Sequence, residues 1–209
     1  MKRFIIISFH TTNILGTKVL SKLEPGQIVK FKADTGAGTV QIWVNGVDQG
    51  VCFTNVGGKT MYPACGFYSS AKKVKAISFT SLGPSTYKPP AAATGGLKFT
   101  HSSDPSHITF DTGNTIATSG SGVGFSSNRC AAICNNPING IATFEFKMEV
   151  DASGNQMTTY GLSDSLSPDG NWETSKNLWM YRPYNGYLYN GGTRYGNIIY
   201  MYIYIYIYS

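Results

Sequence analysis

The sequence predicts an all-β protein. Three observations carry that prediction. Apolar and polar residues alternate with the two-residue period of a half-buried strand, most cleanly in Gly140–Val150, where Phe144, Phe146, Met148 and Val150 face one way and Glu145, Lys147 and Glu149 the other. Turn signals separate such segments, at Glu24-Pro25-Gly26, Asn45-Gly46, Gly57-Gly58 and Ser153-Gly154-Asn155. No long stretch shows the helical period of about 3.6 residues. A chain of 209 residues with 24 Gly, 14 Tyr, 11 Phe and 13% charged residues is long enough and apolar enough to fill a core.

In chain order, Phe4–Phe9 is a short apolar run and Gly16–Lys22 a weaker strand. Pro25 then presets φ for a turn whose second central position goes to Gly26. Gln27–Ala33 alternates, with Val29, Phe31 and Ala33 against Ile28, Lys30 and Lys32. Val40, Ile42 and Val44 share one face, and Gln41 and Trp43 the other, where Trp43 reads as a packed aromatic on a sheet surface. Asn45-Gly46 supplies the two positive φ values of a type I′ hairpin turn, and the returning strand ends at Phe53. Met61–Tyr68 and Lys73–Thr80 follow as strands, the second with Lys75, Ile77 and Phe79 as its apolar set.

Ser81–Gly96 is rich in Pro, Ala and Gly and reads as a linker. Beyond it come short strands at Leu97–Phe99, His107–Asp111 and Asn114–Thr118, then Gly140–Val150, Thr159–Ser163 and the aromatic run Leu178–Gly196. The tail Met201–Ser209 alternates Tyr with Ile. Such a segment forms strands readily, and can add an edge strand or promote association with other chains.

Composition and motif spacing argue against several functions. The net charge is +6, but Lys72, Lys73 and Lys75 are the only tight basic cluster, so no nucleic-acid partner is expected. Cys52 and Cys65 fall inside strands, and Cys130 and Cys134 lack a second pair at zinc-ligand spacing. His10, His101 and His107 have no acidic or cysteine residue beside them in the sequence. Reduced structural thiols and no metal are therefore expected. Phe4–Phe9 falls short of the ~7–15 apolar residues of a signal peptide, and no segment approaches the ~20 needed to cross a bilayer. With no Asn-x-Ser/Thr sequon either, the expectation is a cytoplasmic protein with no membrane partner. There is no Gly-x-Ser-x-Gly elbow, P-loop or His-Glu-x-x-His, and Ser119–Gly124 (SGSGVG) lacks the lysine and helix of a phosphate loop. The reading is a non-enzyme without cofactor.

Two ordered sets of motifs carry a family resemblance. A strand, Asn45-Gly46, a strand with Gly50-Val51-x-Phe53 and then Tyr62-Pro63-Ala64 resemble the C-terminal half of a SPRY domain. Gly140-x-x-x-Phe144-Glu145-Phe146, Gly161-Leu162-Ser163, a Trp-containing loop, an aromatic strand and the Tyr184-Asn185-Gly186 turn resemble its N-terminal half. The halves stand in reverse order. The resemblance implies a concanavalin A-like sandwich with its C-terminal half in 1–80, a linker in 81–96, its N-terminal half in 97–197 and a low-complexity tail in 198–209. Either the halves combine as one circularly permuted domain, or the chain is a slice through a tandem array. Each half alone would leave long sheet edges unpaired. Pairing is therefore expected, with the sheets carrying Trp43 and Phe146 in contact.

The resemblance further implies a protein-interaction module that binds a protein or short peptide through loops at one end of the sandwich. Carried over by motif, the candidate contacts are Arg129, Asn135, Asn136, Pro137, Ile138, Tyr160, Trp179, Tyr181, Arg182 and Tyr184, with Trp172 in the Pro168–Thr174 loop. Tyr, Trp and Arg are the residue types that concentrate binding energy. The alternatives are a concanavalin A-like lectin, which in its calcium-dependent form needs clustered Asp/Asn ligands, and a truncated gene fragment bounded by simple-sequence DNA.

Overall fold

The computed structural model describes residues 23–84, 96–123, 129–152, 158–169 and 171–195. The expected strands at Phe4–Phe9 and Gly16–Lys22, most of the linker, the turn at Ser153-Gly154-Asn155 and the Tyr/Ile tail lie outside these residues. The strands are β1 (Ile28–Asp34), β2 (Thr39–Val44), β3 (Val47–Phe53), β4 (Tyr62–Phe67), β5 (Lys72–Pro84), β6 (Phe99–Ser102), β7 (Ile108–Phe110), β8 (Ile116–Ser119), β9 (Cys130–Cys134), β10 (Gly140–Asp151), β11 (Thr158–Ser163), β12 (Leu178–Arg182), β13 (Tyr187–Asn190) and β14 (Thr193–Tyr195). They form two antiparallel sheets of seven, ordered β3-β2-β1-β10-β5-β8-β7 and β14-β13-β12-β11-β4-β9-β6. The molecule is a two-sheet β-sandwich, all-β as the alternation predicts. No helix among the described residues is long and apolar enough to cross a membrane.

Strands from the two sides of the linker interleave in both sheets. In the first sheet β10 lies between β1 and β5, with Phe144 opposite Phe31 on one side and Phe79 on the other. In the second, β4 lies between β11 and β9. The Phe31 and Phe144 rings stack with centroids 4.9 Å apart. Lys72 and Asp151, both buried, close an ion pair between β5 and the end of β10. The expected contact between sheets carrying Trp43 and Phe146 is not found, because both lie in the first sheet, on strands β2 and β10 that β1 separates, and on opposite faces. Trp43 lies opposite Lys30 and half exposed, while Phe146 lies opposite Val29 in the core.

The local signals largely build what they promise. Gln27 N–H donates to Glu24 O at 3.0 Å across a turn with Gly26 at φ 90°. Asn45 and Gly46 sit at φ 50° and 79°, the left-handed pair a type I′ turn demands. Val29, Phe31, Ala33, Val40, Ile42, Val44, Phe144, Phe146 and Met148 are all fully buried. Two expectations fail. In β5 it is Val74 and Ala76 that point inward, while Ile77 is 37% exposed. The register shifts between Glu145 and Phe146, which pair with Ser78 and Ala76, leaving Ile77 as the extra residue of a bulge. A bulge reverses the inside-outside order beyond it, and so Phe79 packs on the core although Ile77 does not. Lys72 is likewise buried in its ion pair, so it belongs to no solvated basic cluster. β5 also runs to Pro84, taking in the first residues of the expected linker.

All four cysteines are free and buried. Burial pushes the Cys52 and Cys130 thiols up to about 12, and those of Cys65 and Cys134 well above their ordinary value. Thiolate is the reactive form. The folded protein at pH 8 is therefore expected to react with a disulfide reagent at less than ~1% of the rate of a free thiol. Denaturant should release all four thiols. A native cysteine that labels in seconds would contradict this burial.

Candidate binding site

The second sheet is covered on both faces. Its inner face sends Tyr160, Leu162, Trp179 and Tyr181 into the main core. Its outer face carries a second apolar cluster of Ala64, Tyr68, Ala131, Ile133, Leu178, Met180 and Tyr189, closed over by Trp172. Gly66 makes room for that indole, since a Cβ there would stand 2.9 Å from the Trp172 ring. Trp172 Nε1–H donates to Phe67 O at 3.1 Å, which pins the loop between β11 and β12 to β4.

Strand direction then sorts the candidate residues. β4 ends at Phe67 opposite Cys130, where β9 begins, and opposite Thr158, where β11 begins. The same end of the sheet receives the β12–β13 turn, because Arg182 pairs with Tyr187. Tyr68, Arg129, Arg182 and Tyr184 therefore converge. The Arg129 guanidinium lies 4.3 Å from the Tyr68 ring centroid and donates from Nη2 to Tyr68 Oη at 2.8 Å. Arg182 lies 4.9 Å from the same ring and 5.1 Å from that of Tyr184. Glu173, beside Trp172 in the covering loop, forms an ion pair with Arg129. On the neighbouring strands Arg194 lies 4.8 Å from the Tyr187 ring. Tyr184 is 47% exposed, and Tyr68 is buried beneath its two arginines. Cation–π contact holds each guanidinium over a ring, and Arg129 also directs donors to Tyr68 Oη and Glu173.

The remaining candidates fall elsewhere. Tyr160, Trp172, Trp179 and Tyr181 are core residues rather than contact residues. Tyr160 Oη accepts from Thr158 Oγ1 at 3.0 Å, Trp179 Nε1–H donates to Asn55 Oδ1 at 2.8 Å, and burial raises both tyrosine hydroxyls above their usual pKa. Asn135, Asn136, Pro137 and Ile138 leave the far end of β9, opposite the arginines. Asn136 and Ile138 are buried there, the latter bridged to Met61. Only Asn135 and the half-buried Pro137 of that segment reach the surface. Tyr68, Tyr187 and Arg194 belong to the arginine–tyrosine end and are missing from the motif-based set.

Two other features resolve into structure. His107 does have an acidic partner, with Nδ1 2.7 Å from Asp104 Oδ2, and Ser106 Oγ donates to Asp104 Oδ1 at 2.6 Å. Ser106 Oγ also lies 3.0 Å from the same Nδ1. A Ser-His-Asp relay needs hydroxyl and carboxylate on different ring nitrogens, so this trio caps its turn and moves no proton to a substrate. The Ser106 hydroxyl is the chief cause of the lowered Asp104 pKa. On the outer face of the first sheet, a groove of about 720 Å³ runs past Trp43, Lys30 and Glu145. Its charges satisfy each other, with Lys30 and Glu145 3.6 Å apart. Among the described residues no three His, Cys, Asp or Glu side chains gather as metal ligands. Neither a protein-family model nor a curated protein matches the chain.

Proposed function

We propose that the chain is a SPRY-type interaction module, a concanavalin A-like sandwich in permuted order that binds a peptide or protein segment without catalysis. The observation that carries this reading is the convergence of Tyr68, Arg129, Arg182 and Tyr184 at one end of the second sheet. Two guanidinium groups laid on one buried ring form a rigid, donor-rich surface beside an exposed tyrosine. Interfaces favour that composition, because these side chains lose little rotameric freedom for the area they bury. Four buried thiols with no disulfide suit a reducing compartment.

A displayed peptide library panned against the full chain tests the reading. The selected peptides are expected to shift the amide resonances around Tyr184, and Tyr184→Ala should weaken them by about tenfold or more. Peptides that bind but leave this end unperturbed would remove the site. A carbohydrate array that lights up where the peptide library yields nothing would move the function to the lectin class.

A further inference from the structure

We infer that the groove on the outer face of the first sheet is a second binding site, which takes a neutral pyranose unit of a saccharide; it stands independently of the interaction-module reading. Strand register builds its floor. Trp43 of β2 lies opposite Lys30 of β1, and Lys30 lies opposite Glu145 of β10, so one row of outward side chains crosses three adjacent strands. At about 4.8 Å per strand the row is about 10 Å long. Thr143 lines the groove two positions before Glu145 on the same face. Gln27 and Asn45 line it where the turn at Gly26 and the Asn45-Gly46 turn come together, with Asn45 N–H donating to Ile28 O at 2.9 Å. The volume of about 720 Å³ lies within the range of small-ligand sites.

Of the three tryptophans, Trp43 is the one outside both apolar clusters. Trp172 and Trp179 are buried, and their indole N–H groups donate to Phe67 O and Asn55 Oδ1. Trp43 is half-buried on a sheet face, where an indole presents a flat apolar surface with a negative π face. A pyranose is complementary to such a surface. Its axial C–H bonds make one side of the ring apolar and weakly positive, while its hydroxyl groups project around the rim.

Charge selects the ligand class. Lys30 and Glu145 are the charged residues that line the groove, with Nζ and Oε1 3.6 Å apart. Around it, Lys32 opposite Thr143 and Asp48 opposite Trp43 add one charge of each sign, and Lys147 pairs with Glu149 at 3.2 Å. An ionic ligand would gain from one member of the Lys30–Glu145 pair and lose to the other. A hydroxyl carries donor and acceptor on one atom, so it can accept from Lys30 Nζ and donate to the Glu145 carboxylate at once. The gap between the two exceeds the usual hydrogen-bond length of about 2.7–3.2 Å, so the pair is not closed against such a bridge. Both amides of the groove spend their oxygens on the backbone. Ile28 N–H donates to Asn45 Oδ1 at 3.1 Å and Glu24 N–H to Gln27 Oε1 at 2.7 Å. Their NH2 groups are thereby left as the donors for further hydroxyl or ring oxygens.

The test applies the full chain to an array of neutral, sialylated and sulfated glycans, and titrates the strongest neutral glycan by calorimetry and by NMR. Neutral pyranosides are expected to bind and to move the Trp43 indole N–H resonance, while those of the buried Trp172 and Trp179 stay in place. Affinity should change by less than about twofold between low and high salt, because the ligand brings no net charge. Trp43→Ala should weaken binding by about tenfold or more, and Trp43→Phe, which keeps a flat ring, by much less. Glu145→Gln, which replaces the charged acceptor with a neutral one, should weaken it about threefold or more. If Trp43→Ala does not fold, the indole resonance of the unaltered chain decides the matter. Binding confined to sialylated or sulfated glycans and lost in salt would overturn the neutral ligand. Glycan binding that leaves the Trp43 resonance unmoved would place the saccharide elsewhere and remove the groove as its site. An array on which no neutral glycan binds would end the inference outright. So would a proline-rich peptide that moves the Trp43 resonance where no glycan does, since it would assign the groove to a peptide. Peptide binding through Tyr184 is read separately, so the two sites stand or fall independently.

Discussion

Replacing Trp172 with alanine is expected to cost about 3–5 kcal/mol, the range for deleting a fully buried large aromatic. In a chain of this length that is a fall in Tm of roughly 6–20 °C. The indole sits over Gly66, meets Tyr189 edge-on at 5.3 Å and Tyr68 at 5.9 Å, and holds the covering loop to Phe67 O. Its loss opens the outer cluster to water and leaves the Phe67 carbonyl without that donor. The effect should reach the binding end as well. Tyr68, the ring under Arg129 and Arg182, loses its backing, and Glu173, adjacent in sequence, loses the anchor that keeps it on Arg129. Thermal unfolding and peptide affinity should therefore deteriorate together, whereas Tyr184→Ala should weaken binding with Tm almost unchanged. A Trp172→Ala protein within about 2 °C of the parent would mean that the loop does not cover the sheet as described.

That two-sided burial also decides which strands are legible in the sequence. β1, β2 and β10 face the core on one side and a half-exposed surface on the other, so their alternation survives in the residue pattern and predicts the inward residues named from Val29 to Met148, but not Val150, which a register shift leaves half-buried. β4, β9, β11 and β12 are buried on both faces. Alternation vanishes in CAAIC and TTYGLS, and with it any sign that a loop must cover the outer face. The remaining hint was glycine in mid-strand, at Gly66 and Gly161, where a second layer approaches the backbone. Tyr160, Trp179 and Tyr181 stand among the candidate contacts because composition does not tell a buried ring from a contact ring. The separation of Arg129 from Asn135–Ile138 is legible in the sequence. The two flank a five-residue strand, and the flanks of one strand emerge at opposite ends of its sheet. The pairing of Arg182 with Tyr68 was beyond reach, because it depends on β11 inserting between β4 and β12, a register set by the whole sheet.

Cutting the chain within residues 85–95 is expected to abolish folding of either piece alone and to restore it on mixing. The first piece holds β1 to β5 and the second β6 to β14. Alone, the first piece has no β10, so the inner faces of β1 and β5 flank a gap, and β4 has no sheet to join. The second piece has β10 without either neighbour, and β11 without β4 to connect it to β9. Phe31 then lacks Phe144, and the buried Lys72 lacks Asp151, a charge that burial without a partner penalises by several kcal/mol. A few tens of strand residues with such exposed edges bind other chains before they fold. Neither piece should show a cooperative thermal transition, while an equimolar mixture refolded together should show one, with its stability rising with concentration because association is now bimolecular. A first piece that melts cooperatively by itself would mean that residues up to Pro84 hold a core of their own. The interleaving of β10 would then be a docking of two folded units rather than the completion of one sandwich.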